Sequence, residues 1–214
     1  MNREIFRVVC AMMLSCIGAS AAQATDLRVD AVLTGTGIPS GMESSRKGGT
    51  LVETVYVSGD SNRVRVDFRL SSRLRGRIYR DGDHSVLRLP SGRTLPANWL
   101  HLGARVRFPL HAPCFHLGFV CHKQGEREIA GRRVLGWRYR EAGRQGPQGT
   151  DQGTFWLDAK TGVVLAFEGR DVAGLTYVMH AVAVRDSTLP AQWFELPKPA
   201  GRNASGADGA SRQP

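Results

Sequence analysis

Apolar and polar positions along this chain follow the pattern of an antiparallel β protein. Residues 63–70 show it most clearly: Val64, Val66, Phe68 and Leu70 fall in one phase, and Arg63, Arg65, Asp67 and Arg69 in the other. Successive strand side chains point to opposite faces, so this period of two gives one buried and one wetted face. Residues 27–34 and 51–57 read as two earlier strands, separated by a loop rich in glycine, serine and charge over 35–49. The turn Ser58-Gly59-Asp60 follows, and residues 77–80 and 85–89 flank Asp81-Gly82-Asp83, a hairpin signal. Residues 134–140 alternate again, with Leu135, Trp137 and Tyr139 opposite Arg138 and Arg140, before a polar, glycine-rich loop over 141–153. The strongest hairpin is 154–169, TFWLDAKTGVVLAFEG, where two apolar runs meet at Asp158-Ala159-Lys160-Thr161-Gly162 and Gly162 can take positive φ.

Residues 174–186 alternate with both phases largely apolar. Thr176, Val178, His180, Val182 and Val184 stand on one side, and Leu175, Tyr177, Met179, Ala181 and Ala183 on the other. That predicts a strand near the sheet centre, covered on both faces. Residues 189–197 read as a terminal anchor that packs Trp193, Phe194 and Leu196 between Pro190 and Pro197. Residues 200–214 hold no large apolar side chain and read as a disordered tail. Residues 90–120 break the pattern: apolar content is high, prolines and glycines interrupt it, and the periodicity is poor. A short helix over 96–102, opened by Pro96, and a strand over 105–110 fit locally. The segment is read either as an ordinary core connection or as a lid over an apolar cavity, because aromatic side chains on irregular segments often line ligand sites.

The first residues change the setting. Arg3 and Arg7 precede a short apolar core, and Ala22-Gln23-Ala24 fits a small-x-small cleavage site, so 1–24 reads as a cleaved export signal and 25–199 as one periplasmic domain. A lipid anchor at Cys16 is the weaker reading, since Met13 stands where a branched aliphatic residue is expected. No later segment is apolar for long enough to form a membrane-spanning helix. The net charge is +10, and all but four of the basic residues are arginine. Arginine excess suits phosphate, carboxylate or sulfate partners and, equally, reflects composition and solubility. In an exported protein it points to a cell-surface polyanion or anionic lipid, not to nucleic acid.

Removal of the signal leaves two cysteines, Cys114 and Cys121. In an oxidising compartment such a pair is most simply a disulfide fixing the aromatic segment between them. His111, His116 and His122 nearby invite a zinc or copper reading, but their spacing fits no closed metal motif, so no metal or other cofactor is expected. Asp81, Asp83 and His84 could carry acid–base chemistry, yet Asp and Gly are the expected residues of a hairpin turn. No nucleophile elbow, HExxH or phosphate loop is present, and the sequence points to a protein that is not an enzyme.

Several stretches together resemble exported bacterial proteins of an uncharacterised family related to the outer-membrane lipoprotein carrier (Lol-type) superfamily. The similar features are Trp156 and Asp158, the Thr161-Gly162 turn, the aliphatic Val163, Val164 and Leu165, and a closing Phe194 with Pro197. Upstream, Gly59, Asp60, Arg65 and Asp67 resemble a Gly-Asp-x-x-Arg-x-acid pattern, with four residues instead of two between Asp60 and Arg65, and CHKQGEREIAGRRVLGWRYR resembles the stretch before the hairpin. The resemblance implies a mainly β fold: a curved antiparallel sheet, or incomplete β-barrel, with few short helices and an apolar concave face that in carriers takes acyl chains under covering helices. This chain departs from that pattern in lacking an amphipathic helix at the start of the mature domain.

The resulting expectation is a non-enzymatic periplasmic binding protein. It would hold a lipid, lipoprotein acyl chain or other amphiphile against Val64, Val66, Phe68, Trp99, Phe108, Phe115 and Phe119. Arg77, Arg105 and Arg107 would meet an anionic head group. The alternative is an envelope interaction module whose basic sheet face docks on an anionic polymer, lipopolysaccharide or a partner protein.

Overall fold

The row Val184–Val29–Val55–Val66–Ile78–Leu87 runs directly across six neighbouring strands, and this continuous apolar line is what the fold is built to bury. The computed structural model describes residues 25–40, 48–60, 62–70, 74–98, 100–115 and 118–197. The signal segment with Cys16, the 200–214 tail, Trp99 and His116 lie outside the described residues. Eleven strands follow in chain order: β1 Asp26–Gly35, β2 Gly49–Val57, β3 Val64–Leu70, β4 Arg75–Asp81, β5 His84–Arg88, β6 Thr94–Pro96, β7 Val120–Ile129, β8 Arg132–Arg140, β9 Gln152–Asp158, β10 Val164–Arg170 and β11 Thr176–Ser187.

They form one open, curved antiparallel sheet in the order β6-β5-β4-β3-β2-β1-β11-β10-β9-β8-β7. The sheet is two meanders, β1 to β6 and β7 to β11, joined where the first strand pairs with the last. The expected strands over 27–34, 51–57 and 63–70 are all present, and so is the 154–169 hairpin. Its turn is organised by Asp158, whose carboxylate accepts the Lys160 amide and the Thr161 hydroxyl while its carbonyl accepts the Gly162 amide. Gly162 takes φ +72°, and a Cβ there would run into the Phe108 carbonyl.

Because the edge strands β6 and β7 are consecutive in the chain, residues 97–119 must carry it from one edge of the sheet to the other. Ten inter-strand gaps of about 4.8 Å would span nearly 50 Å if flat. Extended at about 3.3 Å per residue, the segment reaches that far, but only by crossing the sheet face. It crosses the concave face as an irregular strap. The expected helix over 96–102 is absent among the described residues: the Leu100 amide donates to the Ala97 carbonyl in a single turn, and Asn98 uses its side-chain oxygen to accept the Ser85 amide. Of the expected strand over 105–110, one bridge remains, Arg107 to Val163.

One further expectation is corrected. β11 is central, but only its inner face is covered: Val178 is 46% and Val182 61% exposed, since no described segment packs on the outer side there. The 141–153 loop, polar in sequence, folds inward. Its 3-10 turn Pro147–Gly149 is buried, with Tyr139 and Thr150 joined through their hydroxyls and the Thr150 hydroxyl donating to the Pro147 carbonyl at 2.6 Å. The terminal anchor forms a 3-10 turn, Ala191–Phe194, that buries Phe194 and lays Trp193 against Tyr56 and the Arg65 guanidinium on the outer face.

Cys114 and Cys121 are joined in a disulfide with a Cα separation of 5.8 Å. Bonding removes both thiolates from the metal-ligand inventory. The closed loop is short, so replacing both cysteines by serine is expected to lower stability by about 2–3 kcal/mol, read from denaturant unfolding. An unchanged midpoint would contradict the idea that this bridge anchors the strap's far end.

Candidate functional site

The strap is the inner layer of the molecule. At one end Arg80 of β4 donates to the Leu102 carbonyl at 2.9 Å and also to the Leu100 carbonyl. Gly103 lies so close to β3 that a Cβ would stand 2.7 Å from Val66 Cγ2, and its φ is +70°. Arg107 then reaches back to the Ser58 carbonyl at 2.9 Å and to that of Gly59. On the other half of the sheet the Val106 carbonyl accepts the Val164 amide at 2.8 Å, and the Phe108 amide donates to Gly162 at 2.9 Å. Phe108 stacks on Phe155 of β9 with ring centroids 4.8 Å apart, and Phe155 continues to Tyr139 and Phe119. The strap is thus held at two places, over Leu102–Gly103 and over Val106–Phe108, with Ala104 and Arg105 between them. Arg105 sits in that span at φ +52°, a conformation costly for a residue with a Cβ, and bonds Gln145 of the inward loop.

Beneath this span lies Glu53. It stands on the inner face of β2, in phase with Leu51, Val55 and Val57, between Ala31 of β1 and Phe68 of β3. It is 1% exposed, and neither carboxylate oxygen has a hydrogen-bond partner among the described residues. Burial pushes its carboxyl up to about 7, because removal from water disfavours the charged form. A void of about 20 Å³ adjoins it, lined by Val29, Val55, Val106, Gln148 and Phe167 among others. That space is of the size of one water molecule.

On the far side of residues 104–106 a groove of about 490 Å³ opens to solvent, lined by Val57, Val64, Arg80, Asn98, Arg105 and Arg107 among others. Ala104, Arg105 and Val106 border both spaces, so they form the wall between the mouth and the Glu53 void. The mouth is cationic. Burial pushes the Arg80 and Arg107 guanidinium groups down from their ordinary range, with Asp26 and Asp60 opposing this at Arg107. His101, on the strap, is also pushed down by burial and then by Arg80 and Arg144, with Asp171 opposing.

The residues singled out by sequence fall in different places. Val64, Val66 and Phe68 line the inner face of β3, and Phe108 and Phe119 are buried beneath or within the strap. Phe115 is 78% exposed. Arg105 and Arg107 border the mouth, whereas Arg77 lies on the outer face, bonded to Asp67 at 2.8 Å. Glu53 was missed, although the sequence carries its signal: a carboxylate in the apolar phase of an otherwise regular strand.

No family model matches this chain, and no curated protein does. Solved structures similar to it include an uncharacterised conserved protein from Thermus thermophilus, with 15% identity and a TM-score of 0.48 over 82% of this chain and 87% of that one. The Pseudomonas aeruginosa MucA/MucB complex matches at 15% identity and a TM-score of 0.46, over 82% of this chain and 56% of that one. A LolA superfamily protein from Nitrosomonas europaea matches at 10% identity and a TM-score of 0.39, over 81% and 91%. The chain therefore spans little more than half of the MucA/MucB chain that it matches.

Proposed function

We propose that this is an exported binding protein that takes the apolar part of an amphiphile, a lipid or an acylated protein, between the concave sheet face and the strap. One observation supports this reading above others: a continuous apolar sheet face is covered by chain segments with no more than a 3-10 turn, the strap and the inward 141–153 loop, and the strap is bordered by a cationic mouth. A face meant only as core is ordinarily covered by a second layer of helices or strands. Lifting residues 103–106 would join the mouth groove to the space over Glu53 and Val55. Each methylene of an entering chain that is buried there contributes about 0.8 kcal/mol, so about ten of them outweigh the few hydrogen bonds broken. Arg105 and Arg107, which border the mouth, would meet an anionic head group.

The test is to purify the processed protein from its own host under mild conditions and analyse the denatured extract by mass spectrometry. An amphiphile in stoichiometric amount is expected. A protein that purifies empty, and also fails to take up a fluorescent fatty acid in its folded state, would refute the reading.

A further inference from the structure

The outer face of the first meander carries an arrangement that folding alone disfavours. On β3 and β4, Arg69 stands directly opposite Arg75; on β4 and β5, Arg77 stands directly opposite Arg88. Side chains at directly opposed positions are about 4.5–5.5 Å apart at Cβ, and like charges there repel. The one carboxylate among these rows is Asp67, which is shared between Arg65 at 2.7 Å and Arg77 at 2.8 Å. Burial would raise the Asp67 carboxyl, but the hydrogen bonds and charges of those two arginines hold it below its ordinary value. Asp67 is therefore fully committed, and Arg69, Arg75 and Arg88 have no carboxylate partner among the described residues.

These guanidinium groups line an open groove of about 620 Å³ that also takes in Val52, Thr54, Leu89 and Pro90. Val52 is 44% exposed, and Leu74, beside Arg75, is 52% exposed. Guanidinium groups recognise phosphate in bidentate fashion, and exposed aliphatic side chains beside them gain from a partly apolar surrounding. A soluble polyanion rewards only the first property. The interface of an anionic bilayer rewards both.

We propose that the Arg69–Arg75–Arg77–Arg88 groove docks this protein on the surface of an anionic phospholipid bilayer. The site is on the opposite face of the sheet from the strap and does not depend on the concavity holding a ligand.

The test uses the processed protein and co-sedimentation with vesicles of phosphatidylglycerol and phosphatidylcholine in equal parts, at low salt. The variant is Arg75→Glu with Arg88→Glu. It turns both like-charged pairs into opposite-charged ones, so the folded protein should be as stable as the parent or more so, which separates a lost site from a lost fold. Each basic residue near an anionic surface counts for a factor of about five, so the double reversal should weaken vesicle binding about thirty-fold or more. The control is Arg138→Glu with Arg140→Glu on the outer face of the other meander, which changes net charge equally and should cost far less. The proposal is overturned if the groove variant binds vesicles like the parent, or if the control loses as much, since net charge alone would then explain the attachment. It is also overturned if the parent ignores the vesicles and binds inorganic polyphosphate instead, which would assign the groove to a soluble polymer.

Discussion

Glu53→Gln is expected to leave the unfolding free energy nearly unchanged at about pH 4 and to raise it by about 3 kcal/mol at about pH 8. The amide has the shape and neutrality of the protonated carboxyl. In the folded parent, burial holds that carboxyl up at about 7, against 4.5 for the group in water. The native state therefore retains a proton that the unfolded chain releases, and the sign follows from this. Below 4.5 both states are protonated and the side chain makes no pH-dependent contribution. Between 4.5 and about 7 the unfolded state ionises first, so the parent loses stability as pH rises. Above about 7 the loss is complete. His101 is pushed down in the fold and destabilises it towards acid, but it does so equally in parent and variant and cancels in the difference. Urea unfolding of both proteins across this range is the measurement. Parallel profiles would mean that Glu53 finds a partner when it ionises.

Phe108→Ala is expected to cost about 3–5 kcal/mol, as truncation of a buried aromatic usually does. Phe108 is 3% exposed and its ring stacks on Phe155. The loss should be concentrated in the strap, because this ring is one of its two pins. The Val164 amide reports on this directly: it belongs to β10, but its acceptor is the Val106 carbonyl on the strap. In the variant that amide should exchange with solvent much faster than amides of the β1–β11 ladder, and fatty-acid uptake should become faster. If the Val164 amide still exchanges only with global unfolding, the strap does not move independently of the sheet.

What could be read from the sequence was local. The turn at Asp158, Thr161 and Gly162 is set by residues three or four apart, so the hairpin was legible, as was the alternation from Val64 to Leu70. Glu53 was legible in principle, as a break in the phase of β2. The strap was not. Its course is fixed by Arg80 and Arg107 reaching carbonyls distant in the chain, and no periodicity records such bonds. The inward course of the 141–153 loop was not legible either, because its polarity is satisfied internally, through Thr150, Tyr139 and Pro147. The second apolar phase of β11 misled in the opposite sense: β propensity put Val178 and Val182 on a face that no described segment covers. Of the arginines, only the cross-strand register shows that Arg77 belongs to an outer block with Arg69, Arg75 and Arg88, and not to the mouth.

The seam between β1 and β11 sets an order of events as the chain emerges from synthesis. Each meander closes through neighbours in sequence, so either can begin as soon as its own hairpins are complete. The seam cannot, because one of its strands is the first to appear and the other among the last. Until the seam closes, each completed meander exposes a long edge, Asp26–Gly35 on one and Thr176–Ser187 on the other, with unpaired backbone donors and acceptors. Such edges invite pairing with the wrong strand or another molecule, and contacts between distant parts of a chain form slowly. The interval before the seam closes is therefore when this protein is most exposed to misassembly, and the time a nascent chain spends there depends on its length more than on the strength of any one contact.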